Sequence, residues 1–286
     1  MTKILYARPI KESLYLNLKA SVEKLKKNGV TPWLRVILVG SDPASQIYTK
    51  SKKKFIEELG GRCDIVHIKD DISEQLFIEK VQSLSEEKNL HGLLIQLPLP
   101  KQLLHVDAGN LIPPSLDVDG LNSLNIGELL KGDIQSSSFC ACTPKGIVTL
   151  LDYYDIPIDG KNICIIGRSL IVGKPLSALL TNRNGTVTLC HSRTKNLETH
   201  TSNADIIIVA VGLPKFLKAH HLNPTKEQTL IDVGINKSEE GKLLGDIDFE
   251  NVKGSAKAVT PVPGGIGPLT ILSLAQNLLQ AAEKAL

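Results

Sequence analysis

The feature that most limits the folds open to this chain is a repeated alternation. Short, β-branched apolar runs are separated by longer segments whose apolar residues recur at helical spacing. A strand buried on both faces reads as a continuous apolar run, and strands that alternate with amphipathic helices build a parallel sheet covered by those helices. In the first half, WLRVILVG (residues 33–40), CDIVHIK and GLLIQLPLP read as such strands, the last stopping at Pro98. Leu14, Leu18, Val22 and Leu25 mark a helix over 12–25 closed by Asn28-Gly29, and a second helix over 45–59 is closed by Gly60-Gly61. A third, over 73–88, has Ile78, Val81 and Leu84 on one face.

Residues 101–140 interrupt the rhythm with Pro113-Pro114, a DVDG turn and the Ser-rich QSSSF stretch, which puts a domain junction near Phe139. A second series follows: a helix over 143–154, the strand NICIIG, a helix from Pro175, and the strands TVTLC, ADIIIVAVG and TLIDVGIN. After the Pro/Gly-rich VTPVPGGIGPLT comes a last amphipathic helix over 269–285. The expected fold class is α/β, with two α/β domains, the second a Rossmann-like doubly wound parallel sheet.

Charge and cysteine usage exclude several functions. The 33 basic and 30 acidic residues, net +3, are too evenly balanced for a nucleic-acid coat or a membrane-surface protein. Cys63, Cys140, Cys142, Cys164 and Cys190 are odd in number and show no C-x-x-C spacing, so buried reduced thiols are expected, with no disulfide framework and no metal. The start MTKILYARPIKES has no apolar leader core, and no run approaches the ~20 apolar residues that span a bilayer. The expected location is cytoplasmic.

In KNICIIGRSLIVGKPLSALL a strand ends on Gly167, five residues intervene before Gly173, and Pro175 suits the first turn of a helix. One reading is a structural tight turn. The other is a phosphate site, in which backbone approaches the anion, the helix N-terminus offers unpaired N–H groups, and Arg168 and Lys174 add charge. The next strand ends in His191-Ser192-Arg193, where NAD-preferring domains carry an acidic residue. A hydroxyl and a guanidinium both donate to a 2′-phosphate, so NADP is favoured over NAD. Gly212 and the DVGIN turn belong to the same carboxyl edge of the sheet.

Tyr48 and Lys52 stand four apart on the second helix and project from one face. A phenol beside an amine can position a substrate and move protons, provided burial or a neighbouring cation lowers the lysine pKa. Lys50, Lys52, Lys53 and Lys54 also read as a solvated charge run. Gln96 follows a buried strand and serves equally as a satisfied core residue or as a group that holds a lysine or ligand. Asp119 has a turn explanation and a ligand-binding one, as an acceptor for an amino-pyrimidinone edge.

VGSDPASQIYTKSKKK, GLLIQLPLP, DVDGLN, CTPKGI, GRSLIVGKP, TVTLCHSRT, NADIIIVAVG, IDVGIN, GDIDF and TPVPGGIGPLT, in this order, resemble the bifunctional methylenetetrahydrofolate dehydrogenase/methenyltetrahydrofolate cyclohydrolase family across nearly the whole chain. The resemblance implies a folate-binding catalytic domain over 1–139, an NADP-binding domain over 140–268 and a C-terminal helix, 269–286, that packs back on the first, the two domains flanking a cleft. It implies Lys52 as catalytic lysine, Tyr48 against the folate ring, Gln96 holding the lysine and Asp119 gripping the pterin edge. Leu97, Pro98, Gly264, Gly265, Pro268 and Thr270 would line the folate pocket. Gly167, Arg168, Ser169, Gly173, Ser192, Arg193, Gly212 and Ile235 would meet the dinucleotide. Tetrahydrofolate derivatives are the implied partners, together with a homodimer formed through the cofactor domain. One departure is Ala141, where the family often has proline before Cys142. Two rivals remain at this point: a dehydrogenase lacking the hydrolase or using NAD, and a silent nucleotide-binding protein.

Overall fold

The computed structural model describes residues 1–132, 138–238 and 240–286. Gln135, Ser136 and Ser137 of the QSSSF stretch lie outside the described residues. In chain order the protein forms β1 (Lys3–Ile4), α1 (Ala7–Lys27), β2 (Trp33–Val39), α2 (Pro43–Glu58), β3 (Arg62–Ile68), α3 (Glu74–Ser85) and β4 (Gly92–Ile95). Then come α4 (Ala108–Leu111), α5 (Ser123–Lys131), α6 (Cys142–Tyr153), β5 (Asn162–Ile166), α7 (Gly173–Thr181), β6 (Thr186–Cys190), α8 (Leu197–Asn203), β7 (Ile206–Val209) and β8 (Thr229–Asp232). The chain closes with β9 (Asn236–Lys237), β10 (Leu243–Leu244), α9 (Phe249–Val252), β11 (Ala258–Val259) and α10 (Ile266–Glu283).

Two compact units result. One comprises Met1–Glu12 and Thr143–Thr270, the other Ser13–Cys142 and Ile271–Leu286. The smaller sheet has the order β3-β2-β4, and both pairings are parallel. Its strands carry the expected apolar load: Trp33, Ile37, Val39, Leu93 and Ile95 pack with Phe77 and Val81 of α3. The larger sheet has the order β1-β11-β8-β7-β5-β6, again parallel throughout. Strand order reverses beside β5, whose neighbours are β6 on one side and β7 on the other, the doubly wound arrangement that binds ligands outside the carboxyl ends of its strands.

α1, α2, α7 and α10 begin two or more residues earlier than the sequence periodicity indicates. α2 starts at Pro43, two residues before Ser45, because Asp42 caps it, accepting from Ser45 N at 2.7 Å, and proline suits a first turn whose N–H has no partner. α1 starts at Ala7, five residues before Glu12, with Pro9 in its first turn; α7 and α10 likewise take Pro175 and Pro268 into theirs. A first turn holding proline breaks the run of helix-forming residues that marks a helix in sequence, so the start reads late. Two further differences are local. TLIDVGIN is not one strand, since β8 ends at Asp232 and Asn236–Lys237 pairs instead with Leu243–Leu244. The short, mostly polar helix α8 also lies between β6 and β7.

The first residues differ from the sequence-based division as well: β1 pairs with β11, and Met1–Glu12 cluster with the larger sheet. Ile271–Leu286 cluster with the smaller sheet, where Asn277 Nδ2 donates to the carbonyls of Val118 and Cys140, each at 2.9 Å. All five cysteines are buried thiols.

Candidate active site

In the smaller-sheet unit, α2 carries Tyr48 and Lys52 on one face. The Lys52 ammonium sits 4.7 Å from the Tyr48 ring centroid, and the side chain is only 4% exposed. Lys50 and Lys54 stay in solvent, and Lys53 and Lys54 pair with Glu57 and Glu58 one turn on. The charge-run reading therefore describes the outer face of α2 and not Lys52. Gln96, at the end of β4, accepts from Lys52 Nζ at 3.0 Å, and its own Nε2 donates to Leu97 O at 2.7 Å. Burial lowers the Lys52 pKa, against the opposing pull of Asp119, Cys142 and Cys63. A lysine so placed can shed its proton and act as a base, which a solvated lysine near neutral pH cannot do.

Asp119 lies in the turn after β4 and its bridge to Asp117, half-buried, and its carbonyl accepts from Cys142 N at 3.2 Å. Gly120 follows at φ +72°, so close to Cys140 and Ala141 that a Cβ there would strike backbone. The sequence reading passed over Asp117, the fully buried carboxylate of the same DVDG motif. Its Oδ2 accepts from Asn122 N at 2.7 Å and Asn125 Nδ2 at 2.8 Å, and burial pushes its pKa up to about 6. Leu97 is half-buried and Pro98 exposed beside Gln96.

In the larger-sheet unit, Gly167 ends β5 at φ +123°. A Cβ on it would fall on Ala210 O, and one on Gly173 would fall on Gly167 O. Both glycines are therefore steric requirements of the turn. Ser169 Oγ accepts from Val172 N at 3.1 Å, while Arg168 and Ser169 remain exposed. After β6, His191 shapes the next turn by accepting from Arg193 N at 3.1 Å, which leaves the Ser192 and Arg193 side chains in solvent. Gly212 (φ +67°) and Ile235, 59% exposed, follow β7 and β8. Gly167, Ser192, Arg193, Gly212 and Ile235 thus all belong to turns just beyond the carboxyl ends of strands in one sheet, and Gly173 opens the helix after the first of these turns. The cradle fits a dinucleotide: small residues where phosphate approaches, and a hydroxyl with a guanidinium in place of a ribose-binding carboxylate.

Gly264, Gly265, Pro268 and Thr270 belong to this same unit. Gly264 O accepts from Ala7 N at 2.8 Å, Gly265 is pressed against Pro261, and the Thr270 and Thr143 hydroxyls are 3.1 Å apart. One His and carboxylate group elsewhere in the unit, Glu198, His220 and His221, brings its ligand atoms within 4.8 Å. His221 Nδ1 accepts from Lys218 N at 3.0 Å, so the neutral ring carries its proton on Nε2, the atom that faces Glu198 at 3.9 Å.

Together these features define an α/β protein with one dinucleotide-type sheet and one unit built around a buried lysine. Residues 5–119 match the catalytic domain of tetrahydrofolate dehydrogenase/cyclohydrolase, and residues 141–286 match its NAD(P)-binding domain. The chain belongs to the tetrahydrofolate dehydrogenase/cyclohydrolase family. It is 46% identical to the bifunctional protein FolD of Bacillus licheniformis over 269 residues, 94% of this chain and 93% of that protein. The bifunctional FolD structure from Campylobacter jejuni superposes with a TM-score of 0.93 at 39% identity, covering 100% of both chains. The Trypanosoma brucei dehydrogenase-cyclohydrolase, solved with NADP cofactor and an inhibitor, gives 0.92 at 29% identity over 99% of this chain and 98% of that one.

Proposed function

We propose that this protein oxidises 5,10-methylenetetrahydrofolate to the 5,10-methenyl form with NADP and then hydrolyses that product to 10-formyltetrahydrofolate. Family membership across both domains supports the reaction pair. The observation that carries the hydrolytic half is the buried Lys52–Gln96 pair beside Tyr48.

NADP, when bound, accepts the hydride that leaves the methylene carbon. The chain's task in that step is geometric, since a donor carbon and an acceptor ring must be held about 3–3.5 Å apart. Gly167, Arg168, Ser169 and Gly173 receive the pyrophosphate, Ser192 and Arg193 the 2′-phosphate, and Gly212 and Ile235 the far half of the dinucleotide. Tyr48 is assigned to the folate ring, Asp119 to its amino-pyrimidinone edge as acceptor, and Leu97 and Pro98 to the folate contacts beside Gln96.

In hydrolysis, the oxygen of water bonds to the methenyl carbon while Lys52, as free amine, takes the water proton. The adduct's hydroxyl then gives up its proton as the C=O bond forms and the bond from that carbon to N5 breaks; N5 takes one of the two water protons, the other is released, and the formyl group stays on N10. Gln96 keeps the amine on the reacting carbon. The folate chemistry is assigned to the smaller-sheet unit and the dinucleotide to the larger-sheet unit, which also holds Met1–Glu12. A homodimer formed through the cofactor domain and a cytoplasmic location complete the proposal; among the described residues no helix is long and apolar enough to cross a membrane.

One spectrophotometric trace tests it. With 5,10-methylenetetrahydrofolate and NADP, reduced cofactor should appear with little methenyl chromophore beyond the uncatalysed control. Methenyl accumulation would remove the hydrolase, and no reduction by folded protein with either NADP or NAD would sink the redox assignment.

A further inference from the structure

Two buried carboxylates, one closing β8 and one in the segment after β10, have no part in the chemistry above. Asp246 is fully buried and Asp232, the last residue of β8, is nearly so. Asp246 Oδ2 accepts from Val211 N at 2.7 Å and from Gly212 N at 2.9 Å, and its Oδ1 accepts from Asn236 Nδ2 at 2.9 Å. Asp232 in turn holds the segment that carries Asp246. Its Oδ1 accepts from Asp246 N at 2.9 Å and Gly234 N at 3.0 Å, and its Oδ2 from Ile247 N at 2.8 Å.

These bonds begin where the sheet ladder stops. β7 ends at Val209, so the N–H groups of Val211 and Gly212 have no strand to pair with, and a buried N–H left unpaired costs free energy. Asp246 satisfies both. Its other oxygen reaches across to the turn after β8, where Ile235 sits exposed between Gly234, bonded to Asp232, and Asn236, bonded to Asp246. Glycine is required at both approaches: a Cβ at Gly234 would fall on the Asp246 carboxylate, and one at Gly245 on that of Asp232. The segment after Gly212 closes on the same strip of backbone, with Lys215 N donating to Gly245 O at 3.0 Å and Leu217 N to Asp246 O at 2.9 Å.

β7 and β8 lie across the switch point from β6, on the side of a doubly wound sheet opposite the adenosine ribose, where the nicotinamide half of a dinucleotide is received. We propose that Asp246, braced by Asp232 and Asn236, is a positioning residue for the nicotinamide half of the dinucleotide, joining the Gly212 and Ile235 turns into one preformed edge of the cofactor site. The inference rests on the dehydrogenase reading above. Burial that lifts the Asp232 pKa to about 7 marks the strength of the enclosure.

Asn236→Ala removes one strut and leaves the bonds of Asp246 to Val211 and Gly212 in place. Asp246→Asn keeps size but turns an amide NH2 on one of its donor partners. Both full-length variants would be assayed for kcat and KM with NADP, and separately for hydrolysis of 5,10-methenyltetrahydrofolate, which needs no dinucleotide. In Asn236→Ala the KM for NADP should rise about tenfold, the effect of one lost hydrogen bond to a charged group, with hydrolysis within about twofold of wild type. Asp246→Asn should lose more in kcat/KM for NADP. An unchanged KM in Asn236→Ala overturns the proposal, and so does a parallel loss of both activities there, which would mean a purely structural strut. A wild type that reduces neither NADP nor NAD instead overturns the dehydrogenase reading itself.

Discussion

Gln96 presents its carbonyl oxygen to Lys52 because its own amide nitrogen is already committed: Nε2 donates to Leu97 O at 2.7 Å while Oε1 accepts from Lys52 Nζ at 3.0 Å. The amide cannot turn over without losing both bonds, so the lysine faces a fixed acceptor on one side and the Tyr48 ring on another.

Lys52→Met should therefore remove hydrolysis by about 10²- to 10⁴-fold, the usual contribution of a positioned acid or base, and leave more of NADP reduction intact. Gln96→Ala should lower hydrolysis less, since it loosens the amine without deleting it. Parallel assays of both reactions check the split; undiminished hydrolysis in Lys52→Met rejects the role given to that residue.

The hydrolysis rate should climb with pH along a limb set by Lys52, because burial lowers its pKa and only the free amine takes a proton. Asp119 pulls that pKa the other way, so Asp119→Asn should move the limb to lower pH, along with any rise in KM from loss of the proposed pterin contact. A kcat–pH profile of each protein, under conditions where hydrolysis limits the rate, decides the matter.

Arg193→Ala should raise the KM for NADP by about 10- to 100-fold and leave that for NAD nearly unchanged, because a guanidinium on phosphate is a charge-assisted pair that NAD does not form. The Arg193 side chain is exposed, so a stability cost is not expected. Equal effects on the two dinucleotides would place the 2′-phosphate contact elsewhere.

Asp117→Asn should stabilise the protein above neutral pH. The folded-state pKa of Asp117 is raised to about 6, so the native state holds a proton more tightly than the unfolded chain, and wild type loses stability as pH rises from the ordinary carboxylate range through 6. Asparagine can keep its oxygen on Asn122 N and Asn125 Nδ2 and carries no charge. Its advantage should be small near pH 4, grow through pH 6 and level off at something on the order of 2 kcal/mol, read by urea denaturation across the series.

Sequence alone determined the α/β class, the parallel character of both sheets and the register of Tyr48 with Lys52 on one helical face, because these follow from local spacing of apolar and functional side chains. It also exposed the glycine turns proposed for the cofactor and the missing acidic residue after β6. It could not separate Lys52 from Lys50, Lys53 and Lys54 by local pattern. Only the tertiary fold buries that one lysine, and burial is what lowers its pKa. β1 was equally hidden: a two-residue strand has no period, and its place beside β11 depends on backbone bonds to residues more than 250 positions away. GDIDF was legible as a motif, yet the work of Asp246 depends on N–H groups left over where β7 ends. A linear pattern records which side chains are present, but a dielectric environment and an unsatisfied donor exist only once distant segments have been brought together.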